Sequence, residues 1–319
     1  MHYRPLGNSG LDVSLLSFGT GGPKVFSESE IDEPGQDDMV RYCLDQGINL
    51  FDTSQGYGDS ETALGRALSS VPRDRYVLAT KWGMYRLADD SSEMEIFADP
   101  DVLRRSVEES LQRLRTDHID IMFFHGLRPE DYEIVYDRFG PVMAALKAEG
   151  SIRCIALSER MGEDLEHLAT IRALEQHPDF WDVTMLRYAL FNQSAASRAL
   201  PLCVEHGVGV LNMAPVRIIL ANPELLLSEV VKWKAEGMIP ADGFPDHAPL
   251  DWLVHDDVES VASAAMKFAA DDPGISTVLT GTRNRAHLEA NIRALERPQL
   301  PPADVERVRR VLGGLREFR

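Results

Sequence analysis

Four side chains in the first half of the sequence are of types that move protons. Short apolar stretches run directly into Asp52, Lys81 and His125, and Tyr57 lies five positions after the aspartate between two glycines. Singly, each residue has an ordinary structural use, as a cap, a surface charge or a packed ring. Brought together, these groups can donate a proton to a reacting oxygen or accept one from it. The set consists of a carboxylate, an ammonium group, an imidazole and a phenol. The spacing therefore predicts a catalytic site if the three stretches are neighbouring strands.

The elements that must position these residues are predicted from the apolar pattern. Most of the apolar stretches are continuous rather than alternating, which is typical of parallel strands buried on both faces. Amphipathic stretches such as residues 102–114 lie between them and favour helices. Eight strands are predicted, at residues 15–18, 48–51, 76–80, 119–124, 152–157, 183–186, 208–211 and 277–279.

Strict alternation of eight strands with helices predicts an α/β fold, the (β/α)₈ TIM barrel. The interval between the seventh and eighth strands is the longest, with helices expected at residues 224–235 and 258–270. Turn residues at 6–11 predict an N-terminal β-hairpin that closes the bottom of the barrel. Catalytic groups of such barrels lie at the carboxyl ends of the strands, where Asp52, Lys81 and His125 fall. No linker or repeat interrupts the pattern, so we expect residues 1–319 to form one domain.

Composition excludes several classes of function. The formal net charge of −18 argues against a nucleic-acid partner, because such proteins carry a basic face. No signal peptide and no apolar run of about 18 residues is present, so we expect no membrane association and a cytoplasmic location. The cysteines, Cys43, Cys154 and Cys203, lie apart in apolar stretches and predict reduced core residues, with no metal site.

The motifs around these residues resemble the aldo-keto reductase family. Phe-Asp-Thr-Ser-Gln-Gly-Tyr-Gly-Asp-Ser-Glu at 51–61 closely resembles the signature around the catalytic Asp and Tyr of that family. Residues 79–81 are similar to the lysine strand of the family, and residues 119–125 to its histidine strand. Residues 150–153, running into Ser158, are similar to its fifth strand, and residues 281–291 to its closing cofactor motif. The set is similar to the galactose-dehydrogenase-like branch of the family.

The resemblance implies an NAD(P)(H)-dependent oxidoreductase that interconverts a carbonyl compound (an aldehyde, ketone or sugar) and an alcohol. Tyr57 would be the general acid, and Asp52, Lys81 and His125 would complete the catalytic tetrad. The chemistry is physically reasonable, because hydride arriving at a carbonyl carbon builds negative charge on oxygen that an acid must neutralise. A phenol is a weak acid, with an ordinary pKa of about 10, and a neighbouring ammonium group favours its ionised form.

Cofactor contacts implied by the resemblance fall on several strand ends. Glu159 stands for a common Asn, Met185 for a common Gln, and Met213 for an aromatic ring. Gly281 and His287 stand where some members of the family carry basic contacts to the phosphate. Arg283 and Arg285 fall near the start of a helix, where an anion would offset their charge, so we predict NADP(H) rather than NAD(H). The expected cofactor residues are Gly19, Thr20, Asp52, Ser158, Glu159, Met185, Met213, Ala214, Val216, Gly281, Thr282, Arg283, His287 and Asn291.

The substrate pocket is expected to be lined by Val25, Phe26, Tyr57, Trp82 and His125, with further loop residues, Met84, Tyr85, Leu127 and Arg128, beside them. We expect a small-molecule carbonyl or alcohol substrate. The sequence does not name that substrate.

Two other functions remain open from the sequence. A strand-end lysine in an apolar pocket can attack a carbonyl directly, so a Schiff-base lyase using Lys81 is one alternative. Against it, Asp52 would keep the lysine protonated and Tyr57 would have no role. The other alternative is a nicotinamide-binding sensor or regulatory barrel without efficient turnover, which the departures at the cofactor positions would favour.

Overall fold

The computed structural model describes residues 1–21, 25–26, 32–88, 93–245 and 247–317. A hairpin of strands β1 (Tyr3–Pro5) and β2 (Asp12–Ser14) comes first, as predicted. The eight predicted strands all form, and together they close a parallel barrel. They are β3 (Leu16–Gly19), β4 (Leu50–Asp52), β5 (Val77–Trp82), β8 (Ile119–Leu127), β9 (Ile152–Glu159), β10 (Val183–Leu186), β11 (Gly209–Asn212) and β12 (Thr277–Thr280).

Helices follow or separate the barrel strands, so the fold is the predicted (β/α)₈ TIM barrel. They are α1 (Glu33–Asp45), α2 (Ser60–Leu68), α3 (Asp101–Leu114), α4 (Tyr132–Glu149), α5 (Leu168–Gln176), α6 (Ala199–His206), α7 (Pro223–Ala235), α8 (Val261–Asp271), α9 (Arg285–Glu296) and α10 (Pro302–Leu312). In the described ranges no helix is long and apolar enough to cross a membrane.

The strand register places the catalytic candidates at one level of the barrel. Asp52 pairs with Ala79, and Lys81 lies two residues further along β5. Lys81 in turn pairs with Phe123, and His125 lies two residues beyond it on β8. A tilted barrel staggers neighbouring strands, and steps of two residues keep side chains on the same face. Three adjacent strands therefore present their ionisable groups together at the carboxyl end.

The hairpin packs against the opposite end of the barrel. Leu6, Leu11 and Val13 are buried in a cluster made by side chains inside the barrel. Gly7 approaches β11 so closely that an added Cβ would lie 2.4 Å from the Gly209 nitrogen. This burial makes the interior a packed core below the site, as the predicted plug requires.

Three details differ from or extend the predictions. Helix α8, the second of the two predicted between β11 and β12, begins at Val261 and not at residue 258, because Ser260 caps it by accepting a hydrogen bond from the Ser263 backbone nitrogen. A second short hairpin, β6 (Tyr85–Leu87) and β7 (Met94–Ile96), follows β5 and was not predicted. The three cysteines, Cys43, Cys154 and Cys203, are unpaired and buried, as predicted.

Candidate active site

A buried ion pair lies at the carboxyl ends of β4 and β5. Both carboxylate oxygens of Asp52 accept hydrogen bonds from Lys81 Nζ at 2.6 Å. The carbonyl oxygen of Thr53 accepts a third from the same nitrogen at 2.8 Å. The side chains of Lys81 and Asp52 are 1% and 3% exposed. The ammonium group is thus held by one carboxylate and one backbone carbonyl, and a hydrogen bond with the Tyr57 side chain also contributes to its raised pKa.

The environment keeps Lys81 charged. Burial alone would lower the pKa of Lys81, but the negative charge of Asp52, with a contribution from Tyr57, outweighs burial and raises the pKa above its ordinary value. Burial raises the pKa of the Asp52 carboxyl, and the charge of Lys81 opposes that rise. The pair thus holds a fixed cation in a region of low dielectric.

The Tyr57 ring lies beside this cation. Its centroid is 4.9 Å from Lys81 Nζ, and 5.6 Å from the centroid of the His125 ring, which meets it edge-on at 87°. Gly58, with φ +57°, turns the loop after the tyrosine. On its other side the ring covers Gly21, where an added Cβ would lie 2.0 Å from a ring carbon. Only glycine at that position leaves room for the tyrosine in this orientation.

His125 is held as a neutral imidazole. Burial, followed by the positive charges of Lys81 and Arg160, lowers the pKa of His125 to about 3. Its Nδ1 lies 3.0 Å from the hydroxyl oxygen of Ser54. That hydroxyl also accepts a hydrogen bond from the backbone nitrogen of Gly56 at 3.1 Å. The ring orientation is thereby set by the loop that carries Tyr57.

Two cavities meet at these residues. The first, of about 450 Å³, extends from Tyr57 past β11 and β12 to the start of α9. The second, of about 320 Å³, lies over Lys81 and His125. Both are lined by Tyr57, Met161, Met185 and Met213. Molecules held in the two cavities would therefore meet beside the phenol.

Most of the predicted cofactor residues line one of these cavities. The first cavity is bordered by Gly19, Asp52, Met185, Met213, Ala214, Val216, Gly281, Thr282, His287 and Asn291. Ser158 and Glu159 border the second. The strand register explains part of this grouping, because Ser158 pairs with His125 on one side and with Met185 on the other.

Trp82 does not line either cavity, although we expected it in the substrate pocket. It follows Lys81 within β5, and successive side chains of a strand point to opposite faces. With Lys81 facing the barrel interior, Trp82 faces the helices and packs against Phe97, Phe124 and Phe139, the last at 4.7 Å between ring centroids.

Other expected pocket residues also lie in the core behind the barrel. Val25 and Phe26 are 2% and 3% exposed and belong to the main apolar cluster, as do Met84 and Leu127. Thr20 was expected to contact the cofactor, but its hydroxyl is fully buried and donates to the Asp52 carbonyl oxygen at 3.1 Å. It supports the strand that carries the aspartate instead of lining a cavity.

Glu159 points its carboxylate away from the cavities. It follows Ser158 in β9 and so lies on the opposite face of the strand. Its oxygens contact the Thr170 hydroxyl at 2.6 Å and His167 Nδ1 at 2.7 Å. The carboxylate therefore joins β9 to α5, and it is not oriented like the amide that the resemblance would place here.

The two arginines near α9 have different surroundings. Arg285 pairs with Glu289 at 3.0 Å, and its guanidinium lies 3.8 Å from the centre of the Tyr42 ring. Arg283 is exposed, lines neither cavity and precedes Asn284, whose side chain caps α9. Its neighbours Thr282 and His287 do line the outer end of the first cavity.

Several residues of the site were not singled out from the sequence. Ser54 lies within the motif at 51–61, and Gly21 follows the expected cofactor residues Gly19 and Thr20. Arg160 and Met161 follow β9 directly and line the second cavity. Nothing in a single sequence indicates that a loop after the fifth strand folds back over the histidine strand.

The first cavity suits a nicotinamide dinucleotide. Its inner end is lined by Asp52 and Tyr57, its middle by methionine side chains, and its outer end by polar residues at the start of α9. Ala214 lines it with φ +50°, a conformation that residues with a side chain rarely adopt and that clusters at functional sites. Among the residues that the structure describes, no group of three or more His, Cys, Asp or Glu side chains is placed to hold a metal.

Comparison with known proteins supports the same class. The sequence model of the Aldo/keto reductase family matches residues 16–312. L-galactose dehydrogenase of Arabidopsis thaliana is 28% identical over 92% of this chain and 87% of its own. NADH-specific methylglyoxal reductase of Escherichia coli (strain K12) is 30% identical over 66% of each chain. An aldo-keto reductase structure from Bacillus halodurans, a holo form, superposes with a TM-score of 0.72 at 25% identity, covering 97% of this chain and 95% of that one.

The chain therefore belongs to the aldo-keto reductase family. Membership makes it an oxidoreductase that interconverts carbonyl and alcohol groups of small molecules with a nicotinamide cofactor. The geometry of the site bears on three finer properties: the nicotinamide nucleotide that is used, the residue that moves the proton and the carbonyl compound that is accepted.

Proposed function

We propose that this protein reduces a small carbonyl compound to an alcohol, and runs the reverse reaction, with Tyr57 as the group that exchanges the proton. The observation that carries the proposal is the position of the Tyr57 ring, 4.9 Å from the buried Lys81 ammonium and at the junction of the two cavities. A bound reduced nicotinamide supplies the hydride that forms the new C–H bond.

Tyr57 completes the reduction by giving its proton to the carbonyl oxygen as negative charge develops there. The π electrons of the C=O bond become the pair that holds this proton, and a phenolate remains on the enzyme. Lys81 stabilises that phenolate, because an opposite charge within a few ångströms in a buried site is only weakly screened. Asp52 keeps the lysine charged and aimed, and solvent returns the proton to the phenolate after the alcohol leaves.

His125 orients the carbonyl as a neutral donor. With its pKa lowered to about 3, the imidazole has a proton on one nitrogen only. The Ser54 hydroxyl lies 3.0 Å from Nδ1 and 3.4 Å from the Lys81 carbonyl oxygen, so its proton is better shared with the imidazole. Donation from Ser54 to Nδ1 leaves the proton on Nε2, where it can hydrogen-bond to a substrate carbonyl in the second cavity.

The same geometry weighs against a Schiff-base lyase. A lysine attacks a carbonyl through the lone pair of its neutral form. Lys81 is hydrogen-bonded to Asp52 and Thr53 and its pKa is raised, so the neutral form is disfavoured. Borohydride treatment in the presence of substrate should therefore leave Lys81 unmodified.

We further propose that NADPH is preferred over NADH, with Arg283 as the contact to the 2′-phosphate. Support comes from the place of Arg283 at the start of α9, next to the polar outer end of the first cavity. Arg285, two positions later, pairs with Glu289 and lies against Tyr42, and it serves as the comparison position. A guanidinium group binds phosphate through paired hydrogen bonds, which suits this role.

The proposed activity is tested by following NADPH and NADH absorbance with a panel of aldehydes, ketones and free sugars. We expect turnover with at least one carbonyl class and faster turnover with NADPH. Tight nucleotide binding without turnover of any panel member would contradict the proposal and favour the sensor alternative.

A further inference from the structure

We propose that the second cavity selects carbonyl substrates that carry a negatively charged group, such as a carboxylate, and that Arg160 is the residue that recognises it. The inference rests on the proposed carbonyl chemistry at Tyr57 and adds the class of substrate.

Arg160 is held over the histidine strand by defined contacts. Its side-chain stem lies against Gly126, where an added Cβ would be 3.7 Å from Arg160 Cδ. Its guanidinium carbon lies 5.8 Å from the centre of the Tyr85 ring, which also lines the cavity. The side chain is 31% exposed. It is therefore partly desolvated and restrained, as a recognition residue needs to be.

Arg160 is one of three charged residues that line the second cavity in the described part of the chain. The other two are Lys81 and Glu159. Lys81 is paired with Asp52 and lies beside the Tyr57 ring, and the Glu159 carboxylate faces the helices, where it pairs with His167. The Lys81 charge therefore acts on the phenol and the carbonyl oxygen. Among the described lining residues, Arg160 is the cation that can meet a charged group elsewhere on the substrate.

The partner of Arg160 neutralises it only in part. Glu163 accepts a hydrogen bond from Arg160 Nε at 3.0 Å, but its side chain is 56% exposed and its charge is well screened. The same carboxylate lies 3.6 Å from Arg128 Nε, so two guanidinium groups share it. The nearby Asp131 carboxylate instead accepts from the Tyr85 hydroxyl at 2.9 Å. Arg160 therefore keeps a guanidinium beside the reacting centre that Glu163 shares with Arg128.

This local charge matters because the protein as a whole repels anions. The chain has a formal net charge of −18, which disfavours the approach of a carboxylate from solution. A guanidinium at the cavity wall offsets that repulsion and fixes the orientation of a planar carboxylate through two hydrogen bonds. With the anionic group on Arg160 and the carbonyl beside Tyr57 and His125, the substrate would be held at both ends.

The test compares aldehydes whose carboxyl group is either ionised or masked as a methyl ester. The probes are 4-carboxybenzaldehyde against methyl 4-formylbenzoate, and 4-oxobutanoate against its methyl ester. In the wild-type protein we expect kcat/KM to favour the anionic member of at least one pair by about tenfold or more, as a charged hydrogen bond provides. Arg160→Gln should lower kcat/KM for that anion by roughly 10- to 100-fold and leave the ester within about threefold.

Two further variants separate recognition from general electrostatics. Glu163→Gln removes the shared carboxylate and should strengthen the anionic preference. Arg105→Gln changes the net charge by the same amount as Arg160→Gln, but at an exposed position of α3 whose ion pair in the described structure is with Asp99. It should leave the preference for the anion unchanged. Equal losses for anion and ester in Arg160→Gln, or a preference that follows Arg105→Gln as closely, would overturn the proposal.

Binding is measured separately from turnover. Calorimetric titration with 4-carboxybenzoate, which has no carbonyl group to reduce, tests the anion site whether or not Tyr57 acts as proposed. Binding that weakens at least tenfold in Arg160→Gln supports the site, and binding that is equal in both proteins contradicts it. Anion binding at Arg160 without reduction of any aldehyde would refute only the proposed activity.

Discussion

The Ser54 hydroxyl oxygen lies 3.0 Å from His125 Nδ1, so the loop that presents the tyrosine also orients the imidazole. Ser54 lies two residues after Asp52 and three before Tyr57, and its own hydroxyl is fixed by the Gly56 backbone nitrogen. One short segment therefore carries the carboxylate that holds Lys81, the proposed proton donor Tyr57 and the hydroxyl that contacts the histidine. Displacing this loop would disturb all three together.

Ser54→Ala is expected to lower kcat about three- to tenfold, since one neutral hydrogen bond is removed, while KM for the nucleotide is unchanged. The direct readout is the ¹⁵N chemical shift of His125, which should report a mixture of tautomers in place of a single one. Ser54→Thr keeps the hydroxyl and should restore the wild-type shift. An unaltered tautomer in the alanine variant would show that Ser54 does not set it.

His125 should not titrate in the range where histidines ordinarily do. Its pKa is lowered from 6.5 to about 3, so the ring stays neutral between pH 5 and pH 8. We expect its ring resonances to be constant over that range and the rate profile to have no inflection from His125 near pH 6.5. An inflection there that disappears in His125→Gln would contradict this.

The same shift has a consequence for stability. A histidine whose pKa is lower in the folded state binds its proton more weakly than in the unfolded chain. Its contribution to the free energy of unfolding is therefore present above pH 6.5 and is lost as pH falls from 6.5 toward 3. Acid unfolding of His125→Gln compared with the wild type should show a smaller dependence on pH in this interval.

Much of the fold was predictable because its pattern is local. Continuous apolar stretches identified the eight barrel strands to within a few residues, and the residue at the end of a buried strand indicated where Asp52, Lys81 and His125 would meet. The plug also followed from local signals, because turn residues lay between short apolar flanks at positions 6–11.

Other parts depended on facts that spacing does not contain. Trp82 was placed in the pocket by its position after Lys81, but strand alternation turns it to the other face. Glu159 was matched by position to an amide, but it is oriented by His167, which lies on a segment that no local rule brings near. Arg160 reaches the cavity through long-range packing on Gly126 and Tyr85.

Asp52→Asn is expected to leave Lys81 subject to burial without its compensating charge, so the lysine should lose its proton more easily. The charged lysine that stabilises the Tyr57 phenolate is then lost at lower pH. Activity should fall, and the alkaline limb that Lys81 controls should move to lower pH. Asp120→Asn is the matched control, because Asp120 is also buried and paired with cations, Arg73 and Arg153. It lies at the amino end of β8, away from the site. Unchanged limbs in Asp52→Asn would exclude the role proposed for the pair.

Arg283→Ala should lower the ratio of kcat/KM for NADPH to that for NADH about tenfold, mainly by raising KM for NADPH. The reason is that a phosphate remote from the hydride contributes equally to binding in the ground state and the transition state. Arg285→Ala, two positions later and engaged by Glu289, should change the preference little. A wild-type protein that already prefers NADH would refute the assignment at once.

The central claim is that Tyr57 exchanges the proton, and Tyr57→Phe tests it most directly. The variant keeps the ring that packs on Gly21 and removes only the hydroxyl. Tyr3→Phe, on the N-terminal hairpin with its hydroxyl on the Gly47 carbonyl oxygen, is the control. We predict that Tyr57→Phe lowers kcat for carbonyl reduction by about 10²- to 10⁴-fold while nucleotide affinity, measured by fluorescence titration, stays within about threefold. Near-full activity in Tyr57→Phe, with the nucleotide bound as in the wild type, would contradict the account.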